Sequence, residues 1–109
     1  MSVSVEWQPA EPGVRRKITT VGKGIMSMIV EFEAGAEGYQ HSHPHEQLSY
    51  VIRGEFDFTI EDEVRRLREG DSIYIPSGAR HGVKALTAAA LFDTFTPLRE
   101  DLLQAMQAK

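Results

Sequence analysis

From Glu55 to Glu61 the chain alternates strictly. Phe56, Phe58 and Ile60 share one parity, and Glu55, Asp57, Thr59 and Glu61 share the other. A period of two is the mark of a strand with one dry and one wet face, and no helix can use it. Turn residues bound this run on both sides, Gly54 before it and the polar tip Glu61-Asp62-Glu63 after it. The same rhythm runs through the rest of the chain. Arg16 to Thr20 and Ile25 to Glu33 are rich in β-branched and apolar residues, with Gly22 and Gly24 between them. Small residues at 34 to 38 predict a loop. Leu48 to Arg53, Val64 to Arg68, Ser72 to Ile75, Arg80 to Leu86 and Ala88 to Phe95 are further strands, with Glu69-Gly70-Asp71 and Pro76 as breaks. Turn signals at about 8- to 12-residue intervals predict an all-β sandwich or barrel.

Only the C-terminus reads as helix. Thr96 is the expected N-cap and Pro97 the first helical residue, with Glu100 and Asp101 in the first turn where the helix dipole favours them. Leu98, Leu102 and Met106 form a stripe that would pack on the barrel. The expected division is one domain over 1–109: a short N-terminal strand within 1–20, a barrel over 21–96 and a helix over 97–108.

Composition narrows the function. The 12 basic and 16 acidic residues leave a net charge of −4, so nothing draws the chain broadly to nucleic acid phosphates. A small anionic ligand remains open, because local charge governs a pocket. There is no cysteine, which removes disulfides, thiol nucleophiles and thiolate ligands. No run reaches the roughly 20 apolar residues of a membrane span, and no signal-peptide pattern opens the sequence. The expectation is a cytoplasmic protein without a membrane or nucleic acid partner.

Three of the four histidines sit in His41-Ser42-His43-Pro44-His45, and the fourth is His81. In extended chain His41, His43 and Gln47 share a parity and can face one point. Imidazole nitrogen and amide oxygen suit borderline divalent metals. His41, His43, Gln47 and His81 are therefore the candidate ligands of one divalent transition metal, with Ni, Zn, Fe, Mn and Co all compatible. The alternative for these histidines is an unligated polar loop.

The spacing of the surrounding glycines and proline extends the pattern. Gly35, His41-x-His43, Gln47 and Gly54 resemble the first cupin motif, and Gly70, Pro76-x-Gly78 and His81 resemble the second, with Ala85 where an Asn is common. The resemblance implies a single cupin domain, a jelly-roll-like β-barrel with the metal in its mouth, Gly54 and Gly70 turning hairpins, and Pro76 and Gly78 aiming His81 inward. Most cupins carry Glu where this chain has Gln47. A neutral amide leaves the metal its full double charge, which favours an anionic ligand and disfavours Fe(III).

Within that superfamily, His41-Ser42-His43-Pro44-His45-Glu46-Gln47 and Phe92-Asp93-Thr94-Phe95-Thr96-Pro97-Leu98-Arg99-Glu100-Asp101 resemble the pectin-degradation cupins of the KdgF type, over about residues 15 to 103. The resemblance implies a small anionic sugar as substrate. A 4,5-unsaturated uronate monosaccharide from pectin or alginate would open to linear 5-keto-4-deoxyuronate without redox change. Asp93 is then the candidate acid/base, because a carboxyl beside an aromatic wall is desolvated and made more basic. Phe95 matches a pocket aromatic, and Arg99 is placed to clamp the substrate carboxylate. Each has a simpler alternative: a solvated strand-end carboxylate, a core ring and a solvated helix residue. His45 is assigned to support or line the pocket rather than bind metal. Tyr39 and Gln40 are placed at the entrance, and Arg65, Arg66 and Arg68 on a solvated hairpin face. Competing functions are a cupin dioxygenase and a non-catalytic sugar-binding module.

Leu48, Tyr50 and Ile52 have the parity opposite to Gln47. If Gln47 faces inward they face out, and an outward apolar stripe predicts a homodimer through this sheet, with the N-terminal strand as the element to cross over.

Overall fold

A computed structural model describes residues 6–107. The strands in chain order are β1 (Gln8–Pro9), β2 (Val14–Val21), β3 (Met26–Phe32), β4 (Glu37–His41), β5 (Glu46–Arg53), β6 (Glu55–Ile60), β7 (Glu63–Arg68), β8 (Ser72–Ile75), β9 (His81–Ala85) and β10 (Ala89–Thr96). The helix α1 (Glu100–Gln107) follows. They form two antiparallel sheets, one ordered β1-β2-β3-β10-β5-β8 and the other β4-β9-β6-β7. The sheets face each other as a two-layered jelly-roll barrel. Alternate residues of β3, namely Met26, Met28, Val30 and Phe32, enter the core from the larger sheet. Phe56 and Phe58 enter from the smaller one, and Phe32 meets Phe56 edge to face at 5.0 Å. That apolar layer drives the closure of the two sheets.

Two glycines make the local geometry possible. Gly54, between β5 and β6, has φ +82°, and a Cβ there would lie 2.5 Å from the Ala89 Cβ and 2.6 Å from the Ala88 oxygen. Gly78 has φ +78°, and its N–H donates to the His43 carbonyl at 2.8 Å. Beside it the Ser77 hydroxyl donates to the Pro44 carbonyl at 2.6 Å. The turn before β9 is thereby bolted to the loop that carries His43.

Several expectations change. The segment read as a loop at 34 to 38 ends in β4, which exists because it pairs with β9. β2 pairs with β3 and lies between β1 and β3 in the larger sheet. The helix begins at Glu100, not Pro97. Thr96 still belongs to β10, opposite Glu46, and its hydroxyl donates to the Gly24 carbonyl at 2.7 Å, so it cannot cap a helix. The Arg99 carbonyl instead accepts from Leu102 and Leu103. Glu100 and Asp101 do occupy the first turn. The docking stripe consists of buried Leu102 and Leu103 with Leu98 against the core. The side chain of Met106, and residue 108, lie outside the described residues. Among the described residues no helix is long and apolar enough to cross a membrane.

Candidate metal centre and active site

Strand register assembles the site. His41 at the end of β4 is the direct cross-strand partner of His81 at the start of β9, which brings their rings to 4.4 Å. His43, on the loop into β5, lies 5.4 Å from the His41 ring and 4.9 Å from the His81 ring. The nearest nitrogens of the three histidines fall within 4.8 Å of one another.

Each ring is oriented by a backbone carbonyl. Nδ1 of His41 donates to the Tyr39 carbonyl at 2.8 Å, and Nδ1 of His81 to the Ala79 carbonyl at 2.9 Å. Both tautomers therefore leave the Nε2 lone pair free, as metal-binding histidines require. Nε2 of His81 is buried without a hydrogen-bond partner. His43 is held between two acceptors, with Nδ1 3.2 Å from the His45 carbonyl and Nε2 3.0 Å from Oε1 of Gln47. A neutral imidazole has one proton and cannot serve both. A cation shared by His43 Nε2 and Gln47 Oε1 removes that conflict and also satisfies His81 Nε2. Three imidazoles and an amide oxygen are a donor set for a first-row divalent ion, so the residues present fit a metal. Burial pushes His81 down to about 4, against the hydrogen bond to Ala79, and the charges of its histidine neighbours act in the same direction. Burial likewise lowers His43, and the charge of Arg99 adds to it. Both remain neutral, the form that binds metal, at ordinary pH.

From the candidate ligands a hydrogen-bonded chain runs along the inner face of the larger sheet. Gln47 and Ser49 share the inward parity of β5, and Asp93 and Phe95 share that of β10. Register sets Gln47 opposite Phe95 and Ser49 opposite Asp93. The amide Nε2 of Gln47 donates to Ser49 Oγ at 3.0 Å, and the Ser49 hydroxyl donates to Asp93 Oδ1 at 2.7 Å. Asp93 is buried. Burial raises its carboxyl to about 6, while the Ser49 hydrogen bond and the charge of Arg99 pull the other way. Ser49 was not anticipated from the sequence, although its parity with Gln47 marks it as an inward polar residue.

The structure brings His41, Gln47, His81, Asp93, Phe95 and Arg99 to the wall of one cavity of about 120 Å³. The Phe95 ring lies 5.8 Å from that of His43. Arg99 holds its guanidinium 5.0 Å over the Phe95 ring, and its Nε and Nη2 donate to the carboxylate of Asp101 at 3.1 and 2.9 Å. The His45 ring packs edge-on against that of His43 at 5.3 Å but is not part of the three-histidine cluster. Its Nε2 donates to the Leu98 carbonyl at 3.0 Å, and its own carbonyl supports His43. Tyr39 and Gln40 do not line the cavity. The side chain of Tyr39 is exposed, and the residue acts through its carbonyl on His41. Arg65, Arg66 and Arg68 are exposed on β7, with Arg66 paired to Asp57 across the hairpin at 2.9 Å.

The two-sheet barrel, with histidines converging from β4, β9 and the loop into β5, defines a class. The chain belongs to the cupin family, whose domain model matches residues 28–95. Among its relatives is the pectin degradation protein KdgF of Dickeya dadantii, 39% identical over 99 residues that cover 89% of this chain and 90% of that protein. Among solved structures, KdgF from Halomonas sp. is 40% identical and superposes with a TM-score of 0.86, covering 90% of this chain and 91% of that one. An RmlC-like cupin from Shewanella frigidimarina is 37% identical with the same TM-score, covering 90% and 88%.

Proposed function

We propose that this protein acts in pectin degradation, holding one divalent metal through His41, His43, Gln47 and His81 and converting 4,5-unsaturated uronate monosaccharides to linear 5-keto-4-deoxyuronate. One observation carries the reading: a hydrogen-bonded chain leads from the histidine cluster through Gln47 and Ser49 to a buried carboxyl, Asp93, on the wall of the same pocket. The similarity to KdgF over nearly the full length of both chains supports it.

The substrate is a cyclic hemiacetal with a C4=C5 double bond, and the product is its isomer. Asp93, as carboxylate, takes the proton of the C1 hydroxyl while the bond from C1 to the ring oxygen breaks. C1 becomes the aldehyde, and the ring oxygen becomes an enolate oxygen on C5. Asp93 then returns the proton to C4, which leaves the ketone at C5. One proton is taken and one returned, so a single carboxyl with a pKa near the working pH suffices. Ser49 fixes the orientation of that carboxyl, and the Phe95 face keeps water from it. When bound, the metal supplies electrophilic stabilisation of the oxygen that gains negative charge.

The test is to mix metal-loaded protein with freshly generated 4,5-unsaturated galacturonate and follow loss of the conjugated absorbance, in air and without oxygen. Decay faster than the enzyme-free control in both atmospheres, abolished by Asp93→Ala, is expected. Decay no faster than the control refutes the assignment.

The outer face of the larger sheet supports a homodimer as part of the same proposal. Leu48 and Tyr50 on β5 are exposed. Register sets Leu48 beside Tyr74 and Tyr50 beside Phe92, both also exposed, so four large apolar side chains are contiguous.

A further inference from the structure

β2 begins Val14-Arg15-Arg16-Lys17-Ile18, and the period of two sends Val14, Arg16 and Ile18 to one face. Val14 and Ile18 are buried in the core. Between them, opposite Val30 of β3, an arginine occupies a position where packing asks for an apolar side chain. Arg16 lines the same cavity as His41, His81 and Asp93. Its Nε is buried and donates to nothing, and among the described residues Arg16 forms no ion pair. Glu11, also on the cavity wall, is engaged elsewhere: its Oε2 accepts the Tyr39 N–H at 2.8 Å. Burial pulls the guanidinium below its usual value, the charge of Glu11 opposes this and that of Arg99 adds to it. A partly buried, unpaired guanidinium is costly and persists where an anion completes it.

Arg99 is less suited to that task. Two of its nitrogens already form a fork onto Asp101. Arg16 has the uncommitted fork, and a planar fork matches a carboxylate better than any other side chain does.

We propose that Arg16 is the carboxylate-recognition residue of this pocket, a specificity determinant that takes the acid group of the sugar on the β2 wall while Arg99 is held by Asp101. The identity of the sugar rests on the ring-opening reading; the requirement for an anion rests on Arg16.

The test compares metal-loaded wild type with Arg16→Leu and Arg16→Lys. Removing an unpaired inward charge without touching the histidines predicts that Arg16→Leu melts higher than wild type without ligand and retains metal in full. A structural arginine would give the opposite shift. For unsaturated galacturonate the KM rises about 10- to 100-fold with kcat little changed, the loss of one charge-assisted contact. Arg16→Lys keeps the charge without the fork and lies between; it carries the test should the leucine variant not fold. Calorimetric binding of galacturonate against galactose provides a readout independent of turnover. Wild type prefers the acid, and the variants lose that preference. An unchanged KM, or an unchanged preference for the acid in the variants, overturns the assignment. A wild type that binds both sugars alike overturns it too. A wild type without turnover that still prefers galacturonate through Arg16 refutes ring opening and leaves this assignment standing.

Discussion

Asp93→Asn tests whether the buried carboxyl is the strained group its surroundings imply. Asparagine keeps the shape and an oxygen to accept the Ser49 hydroxyl, but cannot ionise. The carboxyl rises from its ordinary 3.8 to about 6 in the fold, mainly by burial. That rise of about 2 units corresponds to roughly 3 kcal/mol at 1.36 kcal/mol per unit. The fold prefers the protonated acid, so its contribution is full below pH 3.8 and is lost as the pH rises through about 6. Wild type therefore bears the whole cost at pH 8 and none near pH 3.5, and Asp93→Asn escapes it. Roughly 3 kcal/mol is the ceiling, because the new amide N–H groups must also be buried. At several degrees per kcal/mol for a domain of this size, the variant melts about 10 °C above wild type at pH 8, with the gap closing toward pH 4. The assay is a pair of calorimetric melts across pH 4 to 8 in excess chelator, which keeps a metal charge from pulling the carboxyl down. Taking the difference between variant and wild type cancels the histidines. A gap that does not depend on pH, or a variant less stable at pH 8, refutes the reasoning.

Four further outcomes are expected. Zn²⁺ or Ni²⁺ at about 1,000 times its Kd raises stability by about 4 kcal/mol, seen as a higher Tm that chelator reverses, and His81→Ala abolishes the shift. The rate of ring opening, followed by absorbance, rises with pH through about 6 as Asp93 becomes the carboxylate that accepts a proton, or below 6 where the metal charge lowers it; a rate falling over this range excludes Asp93 as base. Gly54→Ala lowers stability by about 1–3 kcal/mol in chemical unfolding, because a Cβ at φ +82° would press within 2.6 Å of the Ala88 oxygen. Leu48→Asp converts a dimer to a monomer in light scattering and leaves the Tm of the monomer close to wild type, since the side chain is exposed.

The four candidate ligands were legible because metal chemistry depends on residue type and on short spacings. His41, His43 and Gln47 lie within one local stretch, and His81 is marked by the resemblance of Gly70, Pro76-x-Gly78 and His81 to the second cupin motif. The shared face of Asp93 and Phe95 was legible by parity alone. Ser49 was not: its importance comes from pairing with Asp93, 44 residues away. Arg16 was hidden for a related reason. Its alternation with Val14 and Ile18 is in the sequence, but the adjacent Arg15 and Lys17 blur which face is apolar, and packing on β3 decides the matter. Likewise β4 reads as a small-residue loop until β9 lies beside it, where Val83 Cγ1 would stand 3.0 Å from any Cβ on Gly38. Strand periodicity, turn positions and the kinds of side chain that can bind metal are properties of short stretches of chain, so the sequence by itself determined the barrel and its candidate donors. Which carboxyl is buried, which inward arginine is left unpaired and which hydroxyl joins Gln47 to Asp93 depend on register between strands distant in the chain, and only the closed barrel decided them.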